Sequence, residues 1–173
     1  IGTVNGTTGA TVTGDFSAAV AASGGTLTLA SGAAITTGGT GTVTLSADAM
    51  DVSGTVSSAS GIVALRPRTA GRLVSLGTED ASSLSLTDAE LDKITAGTLR
   101  LGSSDAGALT IAAALTPSGA STLSLLSGGT VSQSGAGAVT VTNLRVDAAG
   151  AVSLADNANA ATTFAAATSN DDL

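Results

Sequence analysis

A short pattern of alternating apolar and polar residues recurs along this chain from Thr26 onward. Its clear copies read TLTL, TVTL, IVAL, LVSL and LSL, and then TLRL, ALTI, TLSL, AVTV and AVSL. An alternation with period two places apolar side chains on one face of a β-strand and small polar ones on the other. Glycine and serine separate the copies, so we expect many short strands joined by tight turns.

The spacing of these copies predicts how the strands are arranged. Copies begin at Thr26, Thr42 and Ile62, which are 16 and 20 residues apart, and later copies keep similar intervals. Repeats of this length are typical of a parallel β-helix. A β-sandwich is the alternative, but its hairpins favour Asn-Gly or Asp-Gly turns, and Asn5-Gly6 is the one such pair. We therefore predict an all-β fold, a parallel β-helix (β-solenoid) of about eight or nine coils that forms one domain over residues 1–173.

One segment departs from the strand pattern. Residues 84–111 read LSLTDAELDKITAGTLRLGSSDAGALTI, and Thr87 is followed three residues later by Glu90, which is the spacing of a capping box. Leu86 and Leu91 occupy the two positions of a hydrophobic staple around that cap. Gly97 stands where a left-handed residue would end a helix. We predict a short inserted helix near residues 88–96. Ala89 or Leu91, together with Ile94, would lie on the solenoid and leave Asp88, Asp92 and Lys93 outside.

Composition removes several classes of function. The formal net charge of −7 argues against nucleic acid and anionic membrane surfaces as partners. The chain has no His and no Cys, which are common metal ligands and catalytic groups. Its two aromatic residues, Phe16 and Phe164, cannot form a stacking platform. No apolar run is long enough for a transmembrane helix, so we expect no membrane span. From the composition as a whole we also expect no metal and no cofactor.

Charged residues concentrate in the predicted helical segment, and they allow two interpretations. The six are Asp88, Glu90, Asp92, Lys93, Arg100 and Asp105. Converging carboxylates could act as general acid and base or hold a cation, as in β-helical enzymes that degrade acidic polysaccharides. The capping motif already gives Thr87 and Glu90 a structural role, and we favour that interpretation. We accordingly expect no catalytic residue and no enzymatic activity.

A basic loop and a pair of threonine motifs suggest two further sites. Arg66-Pro67-Arg68 and Arg72 interrupt the strand pattern. They could bind an anion, but we prefer surface ion pairs with Glu79, Asp80 or the helix carboxylates. The Thr-x-Thr motifs that begin at positions 26 and 42 are typical of ice-binding solenoids. Later copies do not keep both threonines, so ice binding is a third candidate function behind a structural role and a polysaccharide-degrading enzyme.

Residues 62–111, IVALRPRTAGRLVSLGTEDASSLSLTDAELDKITAGTLRLGSSDAGALTI, add a family resemblance. The elements LRP, TAGR, LG after a strand, LSLTDAELD and TLRLG resemble a module of large bacterial surface proteins of the filamentous-haemagglutinin-like type. The resemblance implies a right-handed β-helix that a Gram-negative bacterium exports to its surface or the extracellular space. It implies adhesion or surface structure, with host or cell-surface glycans as candidate partners, and it brings no catalytic residues.

The two ends of the chain suggest how it is used. The chain begins at Ile1 without a signal-peptide pattern, so we expect a mature product or an internal piece of a larger protein. Joining its end to its start gives NDDLIGTVNG, which reads as a continuous coil. We predict one unit of a tandem array or end-to-end filament, whose partners are further copies or adjoining repeats. The predicted function is a non-enzymatic structural or adhesive segment of a secreted, rod-forming surface protein.

Overall fold

The computed structural model describes residues 3–4 and 7–169, which form 17 strands and one short helix. Strands account for 55% of the described residues and helix for 2%. The elements, in chain order, are β1 (Thr3–Val4), β2 (Thr7–Val12), β3 (Phe16–Ala19), β4 (Thr26–Leu29), β5 (Ala34–Thr37), β6 (Thr42–Ser46), β7 (Ala49–Val52), β8 (Thr55–Arg66), β9 (Val74–Leu76), β10 (Leu84–Leu86), α1 (Asp88–Leu91), β11 (Ile94–Ser103), β12 (Leu109–Ile111), β13 (Ala120–Ser127), β14 (Val131–Gln133), β15 (Thr140–Ala148), β16 (Val152–Ser153) and β17 (Ala160–Thr168).

The strands stack into a parallel β-solenoid of about seven turns, so the predicted fold class is confirmed. The largest sheet, which we call the main sheet, follows the order β2, β5, β8, β11, β13, β15 and β17, and β3 and β6 join it beside β8. A second sheet contains β10, β9, β12, β14 and β16, and a third contains β4 and β7. Among the described strands only the short β1–β2 pair is antiparallel.

The prediction of eight or nine coils is wrong because the strong sequence copies do not all belong to one face. TLTL lies in β4 and TVTL in β6, which are strands of different sheets. One inward position of the main sheet passes through residues 16, 43, 63, 99, 123, 144 and 164, which are 27, 20, 36, 24, 21 and 20 residues apart. Each face of a coil therefore contains about one strong copy of the pattern. One full coil is longer than the interval between successive copies in the sequence.

Aligned aliphatic side chains fill the interior. Leu45, Leu65, Leu101 and Leu125 occupy one inward position in four successive turns, and all four are fully buried. Burying an aliphatic side chain of this size contributes about 1.5–3 kcal/mol. The same position repeats at every turn of the main sheet, so the core is one narrow column.

The turn with the 36-residue spacing contains an insertion that doubles a strand. β9 and β10 lie side by side in parallel, with Val74 next to Leu84 and Leu76 next to Leu86. Residues 77–83 connect them, and within this connection the Glu79 carboxylate accepts a hydrogen bond from the Ser85 hydroxyl at 3.0 Å. Ser85 is therefore buried although its neighbours in the strand, Leu84 and Leu86, point into the core. The insertion therefore adds one more strand, β10, to the end of the second sheet.

The helix is present, but it is shorter than predicted. α1 ends at Leu91, and Ile94 already begins β11, where it aligns with Val56 of β8. Gly97 does not end the helix, because it lies inside β11 where the register with β8 shifts. Strand pairing with the preceding turn takes over as soon as the chain reaches the core, and this stops the helix after about one turn.

Glycines lie above one another where backbones of neighbouring turns come close. A Cβ atom on Gly61 would lie 2.1 Å from the carbonyl oxygen of Gly41, and one on Gly41 would lie 2.8 Å from that of Gly14. A second series follows the second sheet, where a Cβ on Gly107 would lie 2.5 Å from the carbonyl oxygen of Gly71. These contacts are backbone to backbone, so a side chain at such a position would force neighbouring turns apart.

We expect Gly61→Ala to lower the free energy of unfolding by about 1–3 kcal/mol, the usual cost of overpacking, as measured by urea denaturation. Gly14→Ala is the matched control, because it belongs to the same series but a Cβ there meets no atom within 4 Å. Equal stability of the two variants would contradict the proposed close backbone contact.

Candidate functional site

The carboxylates of the inserted helix begin with a capping box. The Thr87 hydroxyl accepts a hydrogen bond from the Glu90 N–H at 3.3 Å, and the Glu90 carboxylate accepts one from the Thr87 N–H at 2.9 Å. Leu86 and Leu91 are both fully buried in the core, while their mutual contact stays a prediction. Thr87 and Glu90 thus define the start of α1.

The same carboxylates also join α1 to the turns on either side. Glu90 Oε1 accepts the Val52 N–H of β7 at 2.9 Å. On the other side, Asp88 accepts the N–H and hydroxyl of Thr116 at 2.6 and 2.9 Å. The N–H and hydroxyl of Ser118 reach Asp92 at 3.2 Å each. Asp92 is exposed and Asp88 half-buried, which agrees with their predicted place outside the solenoid, and both also hold the next turn.

Asp48, which is not among the residues that the sequence singles out, forms a second junction between turns. The residue lies directly before β7, and it is 1% exposed. One carboxylate oxygen accepts the N–H groups of Arg68 and Thr69 at 3.0 and 2.7 Å. The other oxygen accepts the Gly24 N–H at 2.8 Å and the Thr69 hydroxyl. Three successive turns meet at this carboxylate, and its only sequence signal is an acidic residue at a short break between two strands.

These hydrogen bonds control the protonation of Asp48. Burial by itself raises the pKa of a carboxyl group, but the donors from Thr69, Gly24 and Arg68 favour the charged form and lower the pKa of Asp48 from 3.8 to about 2. A shift of that size corresponds to about 2 kcal/mol of folding free energy. Since the pKa is lower in the folded protein, this stabilisation is present above about pH 4 and is lost as the pH falls towards 2.

The basic loop does not form the predicted ion pairs. Arg72 donates to the carbonyl oxygens of Ala81 and Ser83 at 3.0 Å each, and its Nε donates to the Asp48 carbonyl at 3.2 Å. Within residues 3–4 and 7–169 the one salt bridge is Arg145 to Asp147 at 3.3 Å. Arg72 therefore holds the connecting loop of the insertion through hydrogen bonds to its carbonyl oxygens, which lie closer to the guanidinium than the carboxylates do.

A polar groove lies on the outer face of the main sheet between Arg66 of β8 and Arg100 of β11, and we call it the arginine groove. It has a volume of about 210 Å³, and Ala64 and Gly102 are among the small residues that line it. Hydroxyl groups from β6 and from the end of β11 complete its lining, namely Thr42, Thr44, Ser103 and Ser104. In the sequence these two arginines belong to separate motifs, and no local pattern predicts that they share a surface.

The arginine groove is not neutralised by the protein. Arg66 donates through its Nε to the Ser46 hydroxyl at 2.8 Å and forms no salt bridge with any residue that the structure describes. The Arg100 Nε is the one buried side-chain nitrogen or oxygen of the described residues that lacks a hydrogen-bond partner. Asp105 also lines the groove, but it accepts only the Ser104 hydroxyl and pairs with neither arginine. Two arginines against one carboxylate leave the groove positively charged.

Other kinds of site find no support in the part of the chain that the structure describes. No group of three or more His, Cys, Asp and Glu side chains is arranged there to hold a metal ion. Over the same residues, no helix has both the length and the apolar character that a membrane crossing requires.

The class of protein that the fold defines is the parallel β-solenoid. Comparison with protein-family models, with curated proteins and with solved structures finds no match to this chain. The resemblance of residues 62–111 to filamentous-haemagglutinin-like proteins therefore stays a prediction.

We expect Asp48→Asn to lower the free energy of unfolding by about 2 kcal/mol at pH 7. The amide is uncharged and has a single acceptor oxygen, so it cannot accept all four hydrogen bonds. The gap should narrow as the pH falls from 4 to 2, because the wild type then loses the charged form. Urea denaturation across this pH range measures both effects. Asp51→Asn is the control, since Asp51 is exposed on the adjoining strand, and a pH-independent gap would contradict the role of Asp48.

We expect Glu90→Gln to lower the free energy of unfolding by about 1–3 kcal/mol, because one of its two acceptor oxygens becomes a donor facing backbone N–H groups. Asp92→Asn should cost less than 1 kcal/mol, as Asp92 is exposed and its bonds to Ser118 are longer. Chemical denaturation of both variants tests the comparison. A larger loss for Asp92→Asn would show that the cap is not the main attachment of α1.

Proposed function

We propose that this chain is a non-enzymatic structural and adhesive segment of a secreted bacterial surface protein, in which the solenoid forms part of a rod or fibre. The observation that carries the proposal is the unbroken inward column of the main sheet, which keeps one register from Phe16 to Phe164. Such a column gives a stiff, elongated spacer, because each turn is hydrogen-bonded to the next along the axis.

The use of the carboxylates supports a structural role over an enzymatic one. Glu90, Asp88 and Asp92 each accept hydrogen bonds from a neighbouring turn. Asp48 joins three turns and is buried. A general acid or base must be free to exchange protons with a substrate, and these groups are occupied by backbone and hydroxyl donors.

The two aromatic residues support association at the ends of the rod. Phe16 and Phe164 occupy the same inward position in the first and last turns of the main sheet, and Phe164 is 55% exposed. Among the described strands β17 pairs with β15 alone, so its other edge offers backbone groups for a further strand. An adjoining repeat or a second copy would cover both. The proposed junction NDDLIGTVNG itself falls outside the described residues.

The threonine motifs lend less support to ice binding than the sequence suggested. The motif at Thr26 and the motif at Thr42 lie in different sheets and do not form one surface. Along the outer face of the main sheet, Ile62 follows Thr42 and Arg100 follows Ala64 in register. A regular flat row of threonines is therefore interrupted by apolar and charged side chains.

We expect electron microscopy of the purified chain to show end-to-end rods whose length increases with protein concentration. Phe164→Ser should raise the concentration needed for assembly at least tenfold, because the exposed ring lies at the end of the column. Leu73→Ser is the matched control, since Leu73 is also a large exposed apolar residue, 47% exposed, but lies on the side of the solenoid. Isolated particles at every concentration would contradict the rod. Release of sugar from acidic polysaccharides or thermal hysteresis would favour the enzymatic or ice-binding alternative instead.

A further inference from the structure

We propose that the arginine groove binds a single oxyanion, a carboxylate or sulfate group, carried by an acidic saccharide. The saccharide as the source of the anion rests on the proposed adhesive function, whereas the oxyanion site stands on the groove itself. The first observation is the position of the two arginines. Arg100 aligns with Ala64 on the adjacent strand, and Arg66 lies two residues further along that strand. Both side chains therefore leave the same face, and diagonal neighbours of this kind are about 7–8 Å apart.

The second observation is the unsatisfied donor of Arg100. A buried donor without an acceptor costs about 1–3 kcal/mol, and more when it is charged. The Arg100 side chain is half-buried, so rotation of its outer torsions can turn the Nε–Nη edge towards the groove. An oxyanion there would accept two parallel hydrogen bonds from the guanidinium, which is the strongest arrangement for this side chain. Arg66 also lines the groove, and its terminal nitrogens donate to no group of the described residues.

The third observation is the contrast with Arg145. This residue occupies the same outward position as Arg100, two strands further along the main sheet, with Ser124 between them. Arg145 pairs with Asp147 at 3.3 Å, whereas Arg66 and Arg100 pair with no carboxylate. The chain has 13 acidic side chains and six basic ones, yet no carboxylate of the described residues neutralises these two arginines, so their charge remains free for an anion.

The lining and size of the groove favour a saccharide over a peptide. Hydroxyl groups from Thr42, Thr44 and Ser103 can exchange hydrogen bonds with sugar hydroxyls. An extended peptide would bind best by adding to a free strand edge, yet β8 and β11 are paired on both sides at this place. A volume of about 210 Å³ has room for several waters, and so for one sugar ring.

The test compares ligands and variants by isothermal titration calorimetry. The ligands are a uronate disaccharide, a sulfated disaccharide, a neutral disaccharide and inorganic sulfate. We expect the two acidic disaccharides to bind and the neutral one to bind at least tenfold more weakly. Arg100→Gln and Arg66→Gln should each weaken binding of the acidic disaccharides at least tenfold. Arg145→Gln, the matched control, should change it by less than twofold.

Each contrary result has a defined meaning. Equal binding by Arg100→Gln, Arg66→Gln and the wild type, or no binding of any oxyanion, would overturn the site. If inorganic sulfate binds as tightly as the sulfated disaccharide, the saccharide part of the proposal is overturned and only a simple ion site is left. Circular dichroism shows whether each variant is folded, and the two arginine variants provide independent tests. Rod assembly of Arg100→Gln should be unchanged, so failure of the groove and failure of the rod are distinguishable.

Discussion

The structure depends on the alignment of identical backbone positions along one axis. Each strand of the main sheet must satisfy its N–H and C=O groups with the turn before and the turn after, at a spacing of about 4.8 Å. This constraint places Leu45, Leu65, Leu101 and Leu125 in one line and leaves no room between backbones at Gly41 and Gly61. The apolar column and the glycine contacts are two consequences of the same axial spacing.

The insertion between β8 and β11 shows how the stack accommodates extra residues without losing register. β9 and β10 double one strand position, and α1 returns the chain to the main sheet, where Ile94 resumes pairing opposite Val56. The extra segment carries carboxylates because it must be attached to turns that it cannot pair with as a strand. Glu90 and Asp88 provide these attachments through backbone N–H groups on opposite sides. A charge cluster that resembles a catalytic site in the sequence thus attaches α1 to the turns on either side.

Two kinds of charged group therefore differ in what satisfies them. Asp48 is buried, and its four donors are fixed by the fold, which is why its pKa is low although burial opposes ionisation. Arg100 is partly buried and its Nε has no acceptor from the protein. A charged group whose hydrogen bonds are all formed within the fold contributes to stability. A charged group without a partner can still form its hydrogen bonds with a ligand. The arginine groove, rather than the acidic segment, therefore has a hydrogen-bond donor free for a ligand.

The sequence by itself determined the features that depend on neighbours within a few residues. Alternation with period two identified the strands, and the spacing of Thr87 and Glu90 identified where α1 begins, because both signals are local. The tertiary structure alone decided which strands share a face, since partners lie 20 to 38 residues apart in the main sheet and similar copies such as TLTL and TVTL fit either face. It also decided that α1 ends at Leu91, that Asp48 joins three turns and that Arg66 lies beside Arg100. These features depend on the length of each coil, which no local pattern encodes.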